Sequence, residues 1–247
     1  FKEVSPTYAT HFLNYKGIVT TEYLMNYVES VGEVAFIHDP LQSINFLHFS
    51  LSPKSVSLDY YKPDDKYYCN FTLSVSLRKE GDLIFQYSKN FPVYFPPDDL
   101  PKIRGMGISI QDSFPLVEGE YRLNILIQNS VGKEFSVLEK DIYVPEESSK
   151  PKIIGPILGY RIQAHPPNIH VPFKIVDKKL IVDSQKTFSS SDEIVIFFNL
   201  LNMQKDLRQD GEVEILVKGL REVNPSEKFI SIELKEYPFA RIMSIDH

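Results

Sequence analysis

Over residues 67–77 apolar and polar positions alternate. Tyr67, Cys69, Phe71, Leu73, Val75 and Leu77 fall on one face, and Tyr68, Asn70, Thr72, Ser74 and Ser76 on the other. A period of two marks a strand with one buried face. The turn Lys79-Glu80-Gly81-Asp82 leads into an apolar run over 83–87, which predicts a hairpin. A further run over 91–95 stops at Pro96-Pro97-Asp98-Asp99. The pattern recurs downstream: Tyr121, Leu123, Ile125 and Ile127 alternate, Ser130-Val131-Gly132-Lys133 turns, and 135–144 returns.

Upstream, strand-like pieces over 18–28, 33–38 and 44–51 are broken at Gly32 and at Asp39-Pro40. Beyond residue 151, the stretches 158–164, 173–176, 179–183, 193–202, 211–219, 228–236 and 241–245 read as strands, with Asp177-Lys178 as a tight turn. No segment sustains a helical period. The nearest, 21–30, reads equally well as a strand, so one or two short helical turns at most are expected.

Leu116-Val117-Glu118-Gly119-Glu120-Tyr121 carries the sharpest local signal. Leu116, Gly119 and Tyr121, at the start of a strand, have the spacing of a tyrosine corner. In that motif a buried ring returns its hydroxyl to the backbone across the arch between two sheets. These elements together predict an all-β chain of tandem immunoglobulin-like or fibronectin III-like antiparallel β-sandwiches. An N-terminal β region takes 1–147, with its core sandwich over about 51–147. Residues 1–50 are either extra strands laid on it or the end of a preceding domain. Pro145-Glu146-Glu147-Ser148-Ser149-Lys150-Pro151 reads as a linker, and a second sandwich takes 151–247.

Composition sharpens this picture. The chain has 17 Phe, 14 Tyr and no Trp, and its 17 Pro discourage long helices. A formal net charge of -6, with no basic stripe, argues against nucleic acid as a partner. The longest apolar run, 194–201, has the length of a strand, so no membrane span is expected. The single Cys69 allows no intrachain disulfide, which fits either the cytosol or a bacterial envelope domain held by packing alone. On its apolar face it reads as a buried, inert thiol. The chain opens on Phe1 with no signal peptide, and reads as mature or as part of something longer.

Catalytic motifs are weak throughout. Gly107-Ile108-Ser109-Ile110-Gln111 lacks the closing glycine and the following helix of a nucleophile elbow. Gly105-Met106-Gly107 lacks the third glycine of a phosphate cradle. His165 and His170 have no nameable third zinc ligand, and read as part of a proline-rich connection. His38 reads as turn chemistry beside Asp39. Asp64-Asp65 and Asp98-Asp99 are acid pairs at turns without the regular oxygen spacing of a calcium loop. The expectation is no catalytic residue, no cofactor and no metal. Asn70-Phe71-Thr72 forms a glycosylation triplet, which has meaning only in a eukaryotic secretory setting.

The most promising surface is Tyr60-Tyr61-Lys62-Pro63-Asp64-Asp65-Lys66-Tyr67-Tyr68. Alternation sends one tyrosine of each pair inward and one outward. Tyr60, Tyr61, Tyr67 and Tyr68 are therefore candidate contacts for a glycan or a protein partner, against ring packing beside a turn as the plainer reading.

Two stretches carry a family resemblance. Asp112-Ser113-Phe114-Pro115-Leu116-Val117-Glu118-Gly119-Glu120-Tyr121-Arg122-Leu123 leads to Asp141-Ile142-Tyr143-Val144-Pro145. Val171-Pro172-Phe173-Lys174-Ile175 leads through Leu180-Ile181-Val182-Asp183 to Asp192-Glu193-Ile194-Val195-Ile196. This order resembles the β-sandwich region that follows the GWxTD module, or von Willebrand A-like modules, in large secreted bacterial proteins. The Gly-Trp-x-Thr-Asp signature itself is absent. The resemblance implies a secreted or cell-envelope protein, periplasmic or extracellular, with no catalytic residues to transfer. The function expected is a non-enzymatic structural or protein-interaction module, its partner another protein or another part of a larger chain. The alternative is a carbohydrate-binding module using surface tyrosines. Residues 214–218 and 228–235 are candidate edges for main-chain pairing.

Overall fold

The computed structural model describes residues 26–39, 42–144, 150–166, 169–175, 177–182, 184, 188, 194–219, 226–233 and 240–245. Residues 18–25 of the strand expected over 18–28, most of the linker, and residue 40 of the Asp39-Pro40 break lie outside them.

The alternation over 67–77 folds as β4 (Lys66–Lys79), central in a five-stranded antiparallel sheet. Along one side of β4 runs β5 (Asp82–Phe95). Along the other run β3 (Asp59–Tyr61) and then β7 (Gly119–Asn129), which pairs onward with β8 (Phe135–Val144). A second sheet has the order β1 (Ser30–Asp39), β2 (Ile44–Pro53), β6 (Ile110–Pro115). The inward face of β4 supplies Cys69, Phe71, Leu73, Val75 and Leu77 to a core shared with Leu47, Phe49 and Leu51 of β2 and Ile110 and Phe114 of β6. The two sheets therefore face each other across one apolar layer. Full burial of side chains of this size stabilises by about 1.5–3 kcal/mol each.

Tyr121, at the start of β7, sends its hydroxyl back to the carbonyls of Val117 (3.1 Å) and Glu118 (3.0 Å). Its ring is buried, and Leu116 is buried beside the same core while its N–H donates to the Asn45 carbonyl of β2 at 2.9 Å. Gly119 lies between them with φ +138, in the region that disfavours side chains, and a Cβ there would stand 3.2 Å from the tyrosine oxygen. The chain thus crosses from one sheet to the other with its arch bonded to both.

β1 faces two cores. Val34 and Phe36 pack against the layer just described, while Ala35 and Ile37 belong to a second cluster with Ile157, Phe173, Ile175, Leu180, Val182, Val195 and Phe197. That second cluster is built by two more sheets. One has the order β10 (Arg161–Ala164), β12 (Lys178–Ile181), β11 (Lys174–Ile175); the other has β16 (Ala240–Ile245), β13 (Ile194–Leu201), β9 (Lys152–Gly159). β13 is apolar on both sides because both are covered. Its opposite face places Ile196, Phe198 and Leu200 against Val213 and Ile215 of β14 (Glu212–Gly219). β14 pairs with β15 (Ser226–Glu233) as a two-stranded sheet.

Several details differ from the sequence reading. The runs over 83–87 and 91–95 are one continuous strand, β5, which carries Pro92 at a sheet edge where a missing N–H is tolerated. β3 and β6 had no predicted counterpart, and β9 begins at Lys152 rather than at 158. Lys178, expected in a turn, is already paired in β12. Among the described residues two short helices, Leu100–Met106 and Lys205–Asp210, lie between strands, in line with the one or two short helical turns expected.

Candidate functional site

Three exposed or chemically loaded features stand out, beginning with the tyrosines. The register of β3 on β4 opposes Tyr60 to Tyr67 and Asp59 to Tyr68, and that of β4 on β5 opposes Tyr67 to Phe95 and Tyr68 to Tyr94. Tyr60, Tyr67 and Phe95 therefore share the core side, with ring centroids 5.3 and 6.5 Å apart. Tyr61, Tyr68 and Tyr94 line the outer face, edge-to-face at 6.5 Å and then stacked at 5.9 Å. Tyr94 is 55% exposed and Tyr61 44%. Tyr68 donates its hydroxyl to Asp59 at 3.2 Å, and Tyr60 donates to Asp65. The Asp65 bond raises the Tyr60 phenol above its ordinary pKa, and the Asp59 charge does the same for Tyr68. The row is an aromatic strip with a carboxylate beside it. Tyr94 completes it, although the sequence reading singled out only the first four tyrosines.

The second feature is the outer edge of β5. Among the described residues β5 pairs only with β4, and Leu83, Ile84, Phe85 and Tyr94 are exposed along it. It is anchored to the facing sheet through Asp112 of β6, a buried carboxylate that accepts from Lys89 Nζ at 2.7 Å and from the Tyr87 hydroxyl at 3.0 Å. Burial, with Asp112 next, raises the Tyr87 phenol well above its ordinary pKa.

The third lies where the outer face of the β1-β2-β6 sheet meets the segments around 170–184. His48, 1% exposed, accepts the Phe173 N–H on Nδ1 at 2.9 Å. Burial, and the neighbouring His170, push its pKa down to about 3. His170 bonds Ser113 Oγ at 2.7 Å and packs on Phe46 with centroids 4.5 Å apart. Its pKa is lowered by burial and by Lys174, against the pull of Asp39 and Asp112. Beside it Ser50 bonds Ser109 (2.6 Å) and Ser184 (2.8 Å), and Gln111 reaches the Val182 carbonyl at 3.2 Å. This is a polar seam that joins the two cores.

The remaining candidates are placed as follows. The His165 ring reaches the adjacent Pro166 carbonyl at 3.3 Å while its main-chain N–H donates to the Asp177 carbonyl at 2.8 Å, and its partner of the sequence reading, His170, is held in the seam instead. Asp64 pairs with Lys66 at 3.6 Å. Asp98 and Asp99 sit in the 3-10 turn Pro97–Asp99. Among the described residues no three His, Cys, Asp or Glu side chains gather in a way that would hold a metal ion. His38 bonds Asn45 at 3.0 Å, while Asp39 accepts the Gln42 N–H at 3.3 Å. Ser109 is followed by β6, not by a helix. Cys69 is fully buried, and burial pushes its thiol up to about 12. Among the described residues no helix is long and apolar enough to cross a membrane. Residues 214–218 lie within β14 and 228–233 within β15, whose outer edges carry no strand among the described residues.

Compared with family models and with curated proteins, the chain matches none.

Proposed function

We propose that this chain is a non-enzymatic structural or protein-interaction module of an exported bacterial protein, built from tandem immunoglobulin-like or fibronectin III-like sandwiches. The observation that carries the interaction reading is the exposed outer edge of β5, 14 residues long and bordered by Leu83, Ile84 and Phe85. A long edge with apolar flanks is a template for an added strand unless something blunts it. The sandwich reading draws support from the order β1-β2-β6 facing β5-β4-β7-β8. Immunoglobulin-type domains set their first, second and fifth strands against their third, sixth and seventh in this way, with the corner tyrosine opening the sixth. Here β5 lies beside the third strand. We place the boundary between the two units in 145–151, with β1 serving both. Export and a bacterial source rest on the resemblance of 112–145 and 171–196 to regions behind GWxTD modules.

Cross-linking mass spectrometry on the protein isolated from its own source tests this. Recurrent links from β5 to another chain are the expected result. Reproducible turnover of a substrate, abolished by replacing one acid, would sink the reading.

The Tyr61–Tyr68–Tyr94 strip favours a second reading, a glycan-binding face. Stacked rings with Asp59 alongside offer both the apolar and the hydrogen-bonding halves of sugar recognition. A glycan array is the check: binding lost in Tyr94→Ala supports the strip, and no binder at millimolar sugar removes it.

A further inference from the structure

The backbone of β5 settles which of its groups face the open edge. Asn70 of β4 turns its main chain toward β7: its carbonyl accepts from Ser130 at 2.9 Å and its N–H donates to Asn129 Oδ1 at 3.4 Å. Its opposite residue on β5 is Pro92, which has no N–H to give. Antiparallel pairs alternate between hydrogen-bonded and non-bonded, so Asn70 and Pro92 form a non-bonded pair. It follows that Phe91, Lys89 and Tyr87 bond β4, while Asn90, Ser88 and Gln86 turn their N–H and C=O groups outward. The run has two natural stops. At one end Pro92 lacks a donor. At the other the register shifts, since Leu77 opposes Phe85 and Arg78 opposes Leu83, leaving Ile84 as an unpaired bulge residue. Ser88 lies midway between the two stops.

Folding this edge against itself about Ser88 gives a self-matching register. Gln86 meets Asn90 of a second copy, and Ser88 meets Ser88. Tyr87 meets Lys89, Phe85 meets Phe91, Ile84 meets Pro92, and Leu83 meets Val93. Amides oppose amides, apolar residues oppose apolar residues, and no charge opposes its like. Each Lys89 is already neutralised by Asp112 and lies 5.4 Å from the Tyr87 ring centre of its own chain. Moving the two-fold axis to Asn90 would set Pro92 opposite Ser88 and lose a donor in the bonded run. Moving it to Gln86 would set Leu83 against Lys89.

We propose that two copies of this chain pair antiparallel through β5, with the two-fold axis at Ser88, joining their five-stranded sheets into one ten-stranded sheet. The three bonded positions on each strand supply about six inter-chain N–H···O bonds. Gln86, Ser88 and Asn90 are all exposed in the single chain, and among the described residues no strand pairs with this edge. The proposal rests on reading the chain as an interaction module, and names its partner as a second copy.

Sedimentation velocity across a concentration series tests it with wild type, Ser88→Lys and Ser88→Asp. Wild type is expected to dimerise. Each variant alone sets like charges across the axis and weakens the dimer by at least about tenfold, and an equal mixture of the two restores it. Amide exchange on wild type gives a readout without mutation: Gln86, Ser88 and Asn90 gain protection with concentration. A monomer at all concentrations, a dimer unmoved by both variants, or a mixture that fails to recover would overturn it. If wild type stays monomeric while cross-links to a foreign chain fall on β5, self-pairing fails and the interaction reading stands.

Discussion

His48 Nδ1 accepts the main-chain N–H of Phe173 at 2.9 Å, although the two residues lie 125 positions apart. Phe173 is fully buried with φ +57, a left-handed conformation that a bulky residue enters only when held. Its carbonyl accepts from Leu180 at 2.9 Å, so both of its main-chain polar groups are occupied in a conformation that costs on the order of 1–2 kcal/mol. One neutral imidazole therefore holds a strained main-chain turn where the two cores meet.

That bond makes stability depend on pH. The His48 pKa is about 3 in the fold against an ordinary 6.5. Between these values the unfolded chain binds a proton that the native chain refuses, so stability falls as pH falls from 6.5 toward 3 and is present in full above 6.5. The slope approaches about tenfold in the unfolding constant per pH unit. Urea titrations at pH 7.5, 5.5 and 4.5, roughly spanning that range, measure it. His48→Phe is expected to flatten the acid slope and to lose about 1–3 kcal/mol at neutral pH, because the Phe173 N–H is left buried without an acceptor.

Tyr121→Phe keeps the buried ring and removes both bonds to the arch. The expected loss is about 0.5–1.5 kcal/mol, read from the urea midpoint. Gly119→Ala should cost at least as much, since it adds a Cβ at φ +138 and brings it to the Tyr121 oxygen. The double variant should lose less than the sum, because both changes act on one arch. Strict additivity would separate the glycine from the tyrosine.

Asp112→Asn should destabilise by about 1–3 kcal/mol, since Lys89 loses its charge partner and Asn carries one acceptor oxygen where the carboxylate has two. Exchange of amides along β5 should quicken more than along β4, because Asp112 ties β5 to the facing sheet. Equal acceleration on both strands would contradict this anchoring role.

The Cys69 thiol should resist alkylation at pH 8 in the native chain and react at the rate of a free cysteine in denaturant. Burial removes both access and thiolate. Native labelling within minutes would mean that β4 opens far more readily than a core strand should.

β4 could be read from the sequence because it buries one face in a single core, so the alternation survives. β7 and β8 kept enough of it to be read, although Leu126 of β7 and Phe135 and Val137 of β8 are buried on the opposite face. β6 could not, since its core face carries Asp112 between Ile110 and Phe114 and the polar residue breaks the pattern. β5 read as two pieces because Ser88-Lys89-Asn90 is polar at an open edge, where burial does not select apolar residues. β2 is buried on both faces, yet its second face is polar: Leu47, Phe49 and Leu51 still alternate with His48, Ser50 and Ser52, so the strand was legible while the burial of its polar side was not. The tyrosine strip was visible in part. Tyr94 is brought to Tyr68 by hairpin register, and alternation within its own run gave no sign of it. The His48 and Phe173 contact has no local signal at all, because it exists only once two separate cores have met.

β1 is held in register from both sides at once. Sliding it by a single residue would turn Val34 and Phe36 toward the place now filled by Ala35 and Ile37, and would send the smaller pair the other way. One core would be overfilled and the other left with a void, so neither could tolerate the slip while the other remained intact. The strand behaves as a key cut on both edges: it turns only in a lock whose two halves agree.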